Sequence, residues 1–345
     1  MQQTRNFNTI SPSARALLLM KAHTTIPFAR EAAKFIQAHE PANPTQTHEP
    51  ADPTQAHEAA NTTQTHEQAN PTQANLTPAP EAANLTHAHE ATNPTPTPQP
   101  FEPDFSNRQP GFWIRVMHFE ARYWSINQLL PDYISNILEL SSGFSLRGLA
   151  LATDRPVYYI DTDLPDLIET KQPLVDALAG PLRGHYELRP LNVLDTPTFH
   201  NIVNEFPAGP ILIINEGLLM YLGVEEKRQL LRQIRSILVE RGGYWITADI
   251  YLNRDLPEDP ELSKGDTLRE FLEQHNVKAN MFSSFEEATA FFASEGLVID
   301  KEFEPDYMSL TSLPHFLASA SPELLQRIRT NFQGKIHTTW RLKAG

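Results

Sequence analysis

From residue 133 onward, short continuous runs of apolar residues alternate with segments in which apolar residues recur every three or four positions. The runs predict five strands: Ile137–Leu140, Val157–Ile160, Tyr186–Val193, Ile211–Ile214 and Tyr244–Asp249. The intervening periodicity predicts helices, most regularly over Val224–Arg241. Short strands that alternate with helices are typical of a doubly wound, mainly parallel α/β sheet.

Further elements are predicted at both ends of the chain. Residues 11–38 favour a helix that Pro27 divides in two, and residues 112–130 favour another. Near the C-terminus, Leu297–Phe303 and Lys335–Leu342 suit an antiparallel edge on the parallel sheet. We therefore predict a Rossmann-like sheet of seven strands, preceded by N-terminal helices.

A low-complexity segment interrupts this pattern. Residues 39–100 contain no glycine, Phe, Trp, Tyr, Lys or Arg, and a nine-residue repeat places His-Glu at residues 39, 48, 57 and 66. The histidines suggest a metal-binding array, but the prolines prevent the helix that would group them, and the segment lacks the apolar residues of a core. This favours a disordered spacer. The predicted parts are N-terminal helices (1–38), a linker (39–100) and a core (101–345).

Composition and charge narrow the classes of function. The formal net charge is −14, and seven acids lie in the linker without a base. The sequence therefore lacks the basic surface that nucleic-acid binding requires. It has no cysteine for a disulfide or a thiolate metal site, and no apolar stretch long enough to span a membrane. We expect a cytoplasmic protein without a metal ion.

Polar residues directly follow four of the predicted strands. They are Glu139 with Ser141-Ser142-Gly143, Asp161 with Asp163, Asn192 with Asp195, and Asn215-Glu216-Gly217. Ligands of doubly wound sheets bind at the carboxyl ends of the strands, where Gly143 permits a close approach of the backbone and an acid after the second strand can accept ribose hydroxyl groups. These features suit both NAD and S-adenosylmethionine. The missing Gly-x-Gly-x-x-Gly pattern argues against a pyrophosphate.

Several stretches resemble the leucine carboxyl methyltransferase superfamily, which includes tetracenomycin-type polyketide O-methyltransferases. They are residues 13–36, Phe119-Glu120-Ala121-Arg122-Tyr123, residues 137–148, Tyr159-Ile160-Asp161-Thr162-Asp163-Leu164-Pro165 with Lys171, and Asn215-Glu216-Gly217-Leu218-Leu219-Met220-Tyr221-Leu222. The resemblance implies a class I methyltransferase fold with S-adenosylmethionine as cofactor. Ser141 stands where the family usually has glycine, and Asn192 where it often has aspartate.

The resemblance also implies a role for individual residues. Arg122, assisted by Lys21, holds the methionine carboxylate of the cofactor, and Gly143 lines the methionine moiety. The residue that binds the ribose is Asp161 or Asp163, or both. Asn192 and Val193 flank the adenine, Glu216 lies near the methionine amino group or the sulfonium, and Glu139 completes the set of cofactor-binding candidates.

Other interpretations of these residues stay open. Arg122 beside Glu120 also fits a charged helix surface, and His118, His185, His200 and His315 fit either a base or solvated and structural histidines. No catalytic residue is nominated. A carboxylate acceptor is already ionised at neutral pH and needs no base, whereas a hydroxyl acceptor does. Residues 252–292 are predicted to shape the acceptor pocket.

We therefore predict an S-adenosylmethionine-dependent O-methyltransferase that acts on a carboxylate or hydroxyl of a small molecule. Its acceptor is neither a nucleic acid nor a membrane component. Two alternatives remain: an NAD(P)-dependent Rossmann-fold oxidoreductase and a catalytically silent cofactor-binding protein.

Overall fold

Seven strands form one sheet in the spatial order β3-β2-β1-β4-β5-β7-β6. Their bounds are β1 Asn136–Leu140, β2 Tyr158–Asp163, β3 His185–Pro190, β4 Ile211–Asn215, β5 Gly243–Tyr251, β6 Leu297–Phe303 and β7 His337–Ala344. Strands β1 to β5 pair in parallel, while β7 runs antiparallel between β5 and β6. The predicted seven-stranded sheet with an antiparallel edge is confirmed.

The helices separate the strands as the periodicity indicates. Their bounds are α1 Ser11–Lys21, α2 Ala29–Ala38, α3 Pro110–Leu129, α4 Arg147–Asp154, α5 Pro165–Leu178, α6 Thr196–Glu205, α7 Val224–Arg241, α8 Phe285–Ser294, α9 Leu313–Ser319 and α10 Pro322–Asn331. The N-terminal helical region is divided around Pro27, as predicted. Helices α9 and α10 were not predicted, and β3 ends at Pro190, so Asn192 and Val193 lie in the loop after it.

Alternate residues of the strands face two different layers of helices. On β1, Leu138 and Leu140 belong to the apolar core that α7 covers, whereas Ile137 belongs to the core beneath α3 and α4. All three side chains are fully buried. Burying a side chain of this size contributes about 1.5–3 kcal/mol, so both faces of the central strands need a covering helix. This explains the continuous apolar runs in the sequence.

This computed structural model describes residues 11–39, 109–253, 259–263, 273, 275, 277–303, 306–331 and 335–345. The described residues within 11–39 and 109–345 form one compact unit. Apart from His39, the linker predicted at 39–100 lies outside the described residues. Within the described ranges, no helix combines the length and the apolar character needed to cross a membrane.

The turn after β1 contains an unusual backbone conformation. Ser141 has a φ of 49°, in the left-handed region that glycine adopts most readily. The next residue fixes the turn, because the Ser142 amide donates a hydrogen bond of 3.0 Å to the Thr162 carbonyl. The turn therefore requires the conformation that the glycine usual in the family provides at this position.

We expect Ser141→Gly to raise the free energy of unfolding by about 0.5–1 kcal/mol, because the relief of left-handed strain exceeds the added chain entropy. Differential scanning calorimetry measures the effect as a rise in Tm of roughly 2–4 °C. Ser135→Gly is the matched control, since Ser135 is exposed and its φ is not positive; it should lower the Tm. A lower Tm for Ser141→Gly would contradict this assignment of strain.

Candidate active site

A cavity of about 230 Å³ lies at the carboxyl ends of strands β1 to β5. Residues at or directly after the end of each of these strands line it, and helices α1 and α3 contribute Lys21 and Arg122. Seven of the nine predicted cofactor-binding residues line this cavity: Lys21, Arg122, Gly143, Asp163, Asn192, Val193 and Glu216. Glu139 and Asp161 do not line it; both are fully buried behind its wall.

Glu216 binds three cations at one end of the cavity. Its Oε1 accepts a hydrogen bond of 2.6 Å from Lys21 Nζ and one of 3.1 Å from Arg122 Nη2. Its Oε2 accepts one of 2.9 Å from Arg147 Nη2. Burial raises the pKa of Glu216, but the three cations outweigh burial and hold the pKa well below its usual range. Glu216 is therefore a carboxylate at every physiological pH.

The turn that carries Glu216 is held by an acid that the sequence analysis missed. Asp249, near the end of β5, accepts hydrogen bonds of 2.6 Å from Asn215 Nδ2 and from the amides of Gly217 and Leu218. Gly217 has a φ of 87°, and a Cβ there would lie 3.2 Å from Arg122 Nη2. An acid that ends an apolar run, as after the other four strands, was the available signal. Asp249 thus orients Glu216 toward its cations.

Arg147 connects Glu216 to Glu139. The side chains of Arg147 and Glu139 are fully buried, and Arg147 Nε lies 3.4 Å from Glu139 Oε1. Glu139 Oε2 also accepts a hydrogen bond of 2.6 Å from Tyr159. Burial raises the pKa of Glu139, while Arg147 opposes the shift. Glu139 therefore lies behind the cavity wall and supports the cation cluster of Lys21, Arg122 and Arg147. Arg147 was not among the site residues predicted from the sequence.

Asp163 occupies a different part of the cavity wall. Its Oδ2 accepts a hydrogen bond of 2.7 Å from the Gly143 amide, and its Oδ1 accepts one of the same length from the Leu164 amide. Gly143 has a φ of 57°, a conformation that glycine tolerates. Burial raises the pKa of Asp163 to about 6, although the two amides oppose the shift. Asp163 is ionised at neutral pH and protonated under mildly acidic conditions.

Asp161 is committed to an internal ion pair. Its Oδ2 accepts hydrogen bonds of 2.6 Å from Lys171 Nζ and 2.8 Å from the Tyr186 hydroxyl. Lys171 also donates to Ser142 Oγ at 3.0 Å, which ties this pair to the turn after β1. Of the two aspartates proposed for the ribose, only Asp163 reaches the cavity.

The loop after β3 contributes the two residues proposed to flank the adenine. Val193 is buried and lines the cavity, and Asn192 lines it with an exposed side chain. The Asn192 side-chain oxygen accepts a hydrogen bond of 3.1 Å from the Leu194 amide. This bond stabilises the loop and occupies one of the two lone pairs of that oxygen.

A hydrogen-bonded pair at the cavity wall joins Arg122 to a histidine. Arg122 Nη1 donates a hydrogen bond of 2.9 Å to the Tyr251 hydroxyl, whose oxygen lies 2.7 Å from His118 Nε2. Both His118 and Tyr251 line the cavity. Of the other candidate histidines, His185 is exposed and His315 stacks on Trp113 at 4.5 Å. His118 is thus the candidate base that the fold brings to the site.

Arg122 is not a surface charge. It is 2% exposed, and its Nε is buried without a hydrogen-bond partner among the described residues. The neighbouring Glu120 serves a separate purpose, because it accepts hydrogen bonds from the amides of Thr311 and Ser312 before α9. A buried, unpaired guanidinium N–H next to a cavity is a site for an anionic group of a ligand.

The cavity fits S-adenosylmethionine by the distribution of its charges. Arg122 and Lys21 are cations that can pair with a carboxylate, Glu216 can pair with an amino group, and Asp163 beside Gly143 can accept hydrogen bonds from hydroxyl groups. Apolar side chains such as Leu18, Phe144 and Val193 line much of the remainder. An amino acid joined to a nucleoside requires this combination of donors, acceptors and apolar surface.

Comparison with known proteins places this chain in a class. The sheet and its cofactor are those of the class I S-adenosylmethionine-dependent methyltransferases. The sequence model of the leucine carboxyl methyltransferase family matches residues 53–235, more than half of the chain. The chain therefore belongs to the leucine carboxyl methyltransferase family. The match contains every predicted cofactor-binding residue except Lys21, which precedes it.

Solved structures resemble this chain more distantly. The mitomycin 7-O-methyltransferase MmcR is 13% identical with a TM-score of 0.41, and the match covers 68% of this chain and 57% of that one. LaPhzM is 14% identical with a TM-score of 0.41, covering 67% and 58%. PigF with SAH is 14% identical with a TM-score of 0.40, covering 68% and 58%. This chain therefore spans less than two thirds of each of these structures. No curated protein matches it in sequence.

Proposed function

We propose that this protein is an O-methyltransferase that transfers the methyl group of S-adenosylmethionine to a small molecule. The observation that carries the proposal is the cavity with Glu216, Arg122 and Lys21 at one end and Asp163 beside Gly143 elsewhere in its wall. Family membership favours this activity over the oxidoreductase alternative. The alternative of a catalytically silent cofactor-binding protein predicts that no methylated product forms.

The residues of the chain would hold the cofactor and exclude water. S-adenosylmethionine supplies an electrophilic methyl group on a positively charged sulfur. Arg122 and Lys21 would bind its carboxylate, and Glu216 its amino group. Asp163 would accept the ribose hydroxyl hydrogen bonds. A fixed orientation of the reacting groups in a cavity from which water is excluded accounts for much of the rate of such a transfer.

The methyl acceptor is a carboxylate or a hydroxyl group. A carboxylate is ionised at neutral pH and attacks without a base, so alignment suffices. A hydroxyl group must lose its proton during the transfer, and a neutral imidazole in the cavity wall can accept it. Met281 lines the cavity and belongs to residues 252–292, the segment that we predict to shape the acceptor pocket.

We expect Asp163→Asn to weaken the binding of S-adenosylhomocysteine about 10- to 100-fold, because hydrogen bonds to a charged group contribute about 1.5–3 kcal/mol. Isothermal titration calorimetry at pH 7.5 measures the Kd. Asp176→Asn is the matched control: Asp176 is exposed on α5 and bonds only Gln172 among the contacts described, so its Kd should equal that of the wild type.

The pH dependence gives a second arm of the same experiment. The pKa of Asp163 is about 6, so below pH 6 this side chain is mostly protonated. It must then lose its proton before it can bind the ribose as a carboxylate. The wild-type affinity should therefore fall as the pH drops below 6 and level off near that of Asp163→Asn, whose own affinity changes little. Absence of any S-adenosylhomocysteine binding by the wild type would refute the proposed function.

A further inference from the structure

The cavity wall contains a proton-accepting pair that the binding of the cofactor does not use. The pair consists of His118 on α3 and Tyr251 at the end of β5, with Tyr251 Oη and His118 Nε2 separated by 2.7 Å. Both side chains line the cavity. His337 lies behind them, with its ring centroid 5.3 Å from that of His118 and 4.5 Å from that of Tyr251.

The hydrogen bonds of Tyr251 leave one acceptor position unassigned. A phenolic hydroxyl group donates one hydrogen and can accept two. Arg122 Nη1 donates to Tyr251 at 2.9 Å, and we assign the Tyr251 hydrogen to His118 Nε2, 2.7 Å away, which makes Nε2 the unprotonated nitrogen of the ring. Because Tyr251 lines the cavity, its second lone pair can accept a hydrogen bond from a hydroxyl group bound there.

Both members of the pair are neutral at physiological pH. Burial raises the pKa of Tyr251, so the phenol keeps its proton. Burial, His337 and the cations Arg122 and Arg115 hold the pKa of His118 well below its usual range, so the imidazole keeps a free lone pair. His337 donates its Nε2 hydrogen to the Ala248 carbonyl at 2.6 Å, so this nitrogen does not accept the proton of Tyr251.

We propose that the methyl acceptor is an aromatic hydroxyl compound, whose proton passes through Tyr251 to His118 as the methyl group is transferred. A proton-accepting pair serves an acceptor that must lose a proton, as a hydroxyl group must and an ionised carboxylate need not. The apolar Phe119 adjoins the pair, with its ring centroid 5.4 Å from that of His118, and Met220 and Met281 also line the cavity. These side chains suit an aromatic ring.

The reaction balances without another reactant. The acceptor oxygen forms a bond to the methyl carbon, and the bond between sulfur and that carbon breaks with its electron pair remaining on sulfur. The acceptor O–H proton moves to Tyr251 Oη while the Tyr251 proton moves to His118 Nε2. The positive charge lost by sulfur is therefore carried by His118, which releases the proton to solvent after the product leaves. A weak base suffices, because a hydroxyl oxygen becomes strongly acidic as it is methylated.

The inference rests on the proposed function, and the test separates the two. The probes are 2-naphthol and 2-naphthoate, which share a ring system and differ in the hydroxyl or carboxylate group. Product is measured by mass spectrometry with S-adenosylmethionine, and S-adenosylhomocysteine binding is measured by calorimetry for every variant. Loss of that binding in the wild type contradicts the proposed function, whereas unaltered binding with a contrary product pattern contradicts only this inference.

The expected result is methylation of 2-naphthol and none of 2-naphthoate. His118→Ala should lower kcat for 2-naphthol at least 100-fold with the Kd of S-adenosylhomocysteine unchanged. Added imidazole should restore His118→Ala in a saturable manner but should not restore Tyr251→Phe, because the phenol must pass the proton on. His118→Gln, which keeps a polar side chain, replaces His118→Ala if the smaller residue impairs folding. His185→Ala, on the exposed surface, is the control and should match the wild type.

Three results would overturn the inference. The first is methyl ester formation on 2-naphthoate, which would point instead to recognition of a carboxylate by Arg115 in the cavity wall. The second is a wild-type rate for His118→Ala or His118→Gln. The third is the absence of product from 2-naphthol with S-adenosylhomocysteine binding intact.

Discussion

Glu216→Gln should lower the free energy of unfolding by about 3–5 kcal/mol, and the Tm by roughly 10 °C. Glu216 accepts hydrogen bonds from Lys21, Arg122 and Arg147, whose side chains are at most 10% exposed. Glutamine keeps the shape of the side chain but removes the charge that offsets the burial of three cations. Urea denaturation at pH 7.5, with the variant and the wild type compared under identical conditions, measures the loss.

The stability that Glu216 provides also has a defined pH dependence. Because its pKa in the folded state lies well below the ordinary value of 4.5, its contribution is complete above about pH 5 and declines as the pH falls below 4.5. The difference between the wild type and Glu216→Gln should therefore shrink between pH 5 and pH 3. The opposite trend would mean that the carboxylate is not held by its cations.

A matched control and a double variant isolate the cause. Glu187→Gln removes a carboxylate whose side chain is 33% exposed and paired with Arg189, so it should cost less than about 1 kcal/mol. Lys21→Met with Glu216→Gln removes one of the uncompensated cations and should regain part of the loss. A Tm of Glu216→Gln within 2 °C of the wild type would contradict the cation cluster.

Lys171→Met should also destabilise the protein by about 3–5 kcal/mol, because it leaves the buried carboxylate of Asp161 without its cation. Both side chains are completely buried, and their nitrogen and oxygen are 2.6 Å apart. Asp161 Oδ1 already lacks a hydrogen-bond partner among the described residues, so only the Tyr186 hydroxyl would remain. Urea denaturation measures the loss.

Neutralising the partner should reverse much of this effect. Lys171→Met combined with Asp161→Asn removes the uncompensated charge while keeping an acceptor for Tyr186, so the double variant should be more stable than Lys171→Met alone. Lys343→Met is the control, since Lys343 is half exposed and 3.6 Å from Asp300. A double variant less stable than the single one would indicate that Lys171 stabilises the fold by something other than this pair.

The sequence predicted the sheet and much of the cavity wall for a physical reason. Parallel strands bring their carboxyl ends to one edge, so polar residues after separate apolar runs, such as Asp163 and Glu216, meet in the fold although they are far apart in the chain. Lys21 was predicted from the family resemblance although it lies far from the other site residues in the chain. Helix α1 places it next to Glu216.

The remaining site residues depend on tertiary contacts that no local pattern reveals. Arg147 is the first residue of an amphipathic helix, a position typical of a surface cation. Its role follows only from its ion pairs with Glu139 and Glu216 in the fold. Tyr251 ends a strand as an ordinary aromatic residue, and its role follows only from its distances to Arg122 and His118. Asp161 and Asp163 are both plausible ribose partners in the sequence, and only the buried lysine on α5 distinguishes them.

A crystal structure of the protein with S-adenosylhomocysteine tests the proposed cofactor site. We expect the ligand in this cavity, with its carboxylate at Arg122 or Lys21, its ribose hydroxyl groups at Asp163, and its adenine against Val193. A ligand bound elsewhere, or a ribose held by a carboxylate other than Asp163, would refute the proposed site.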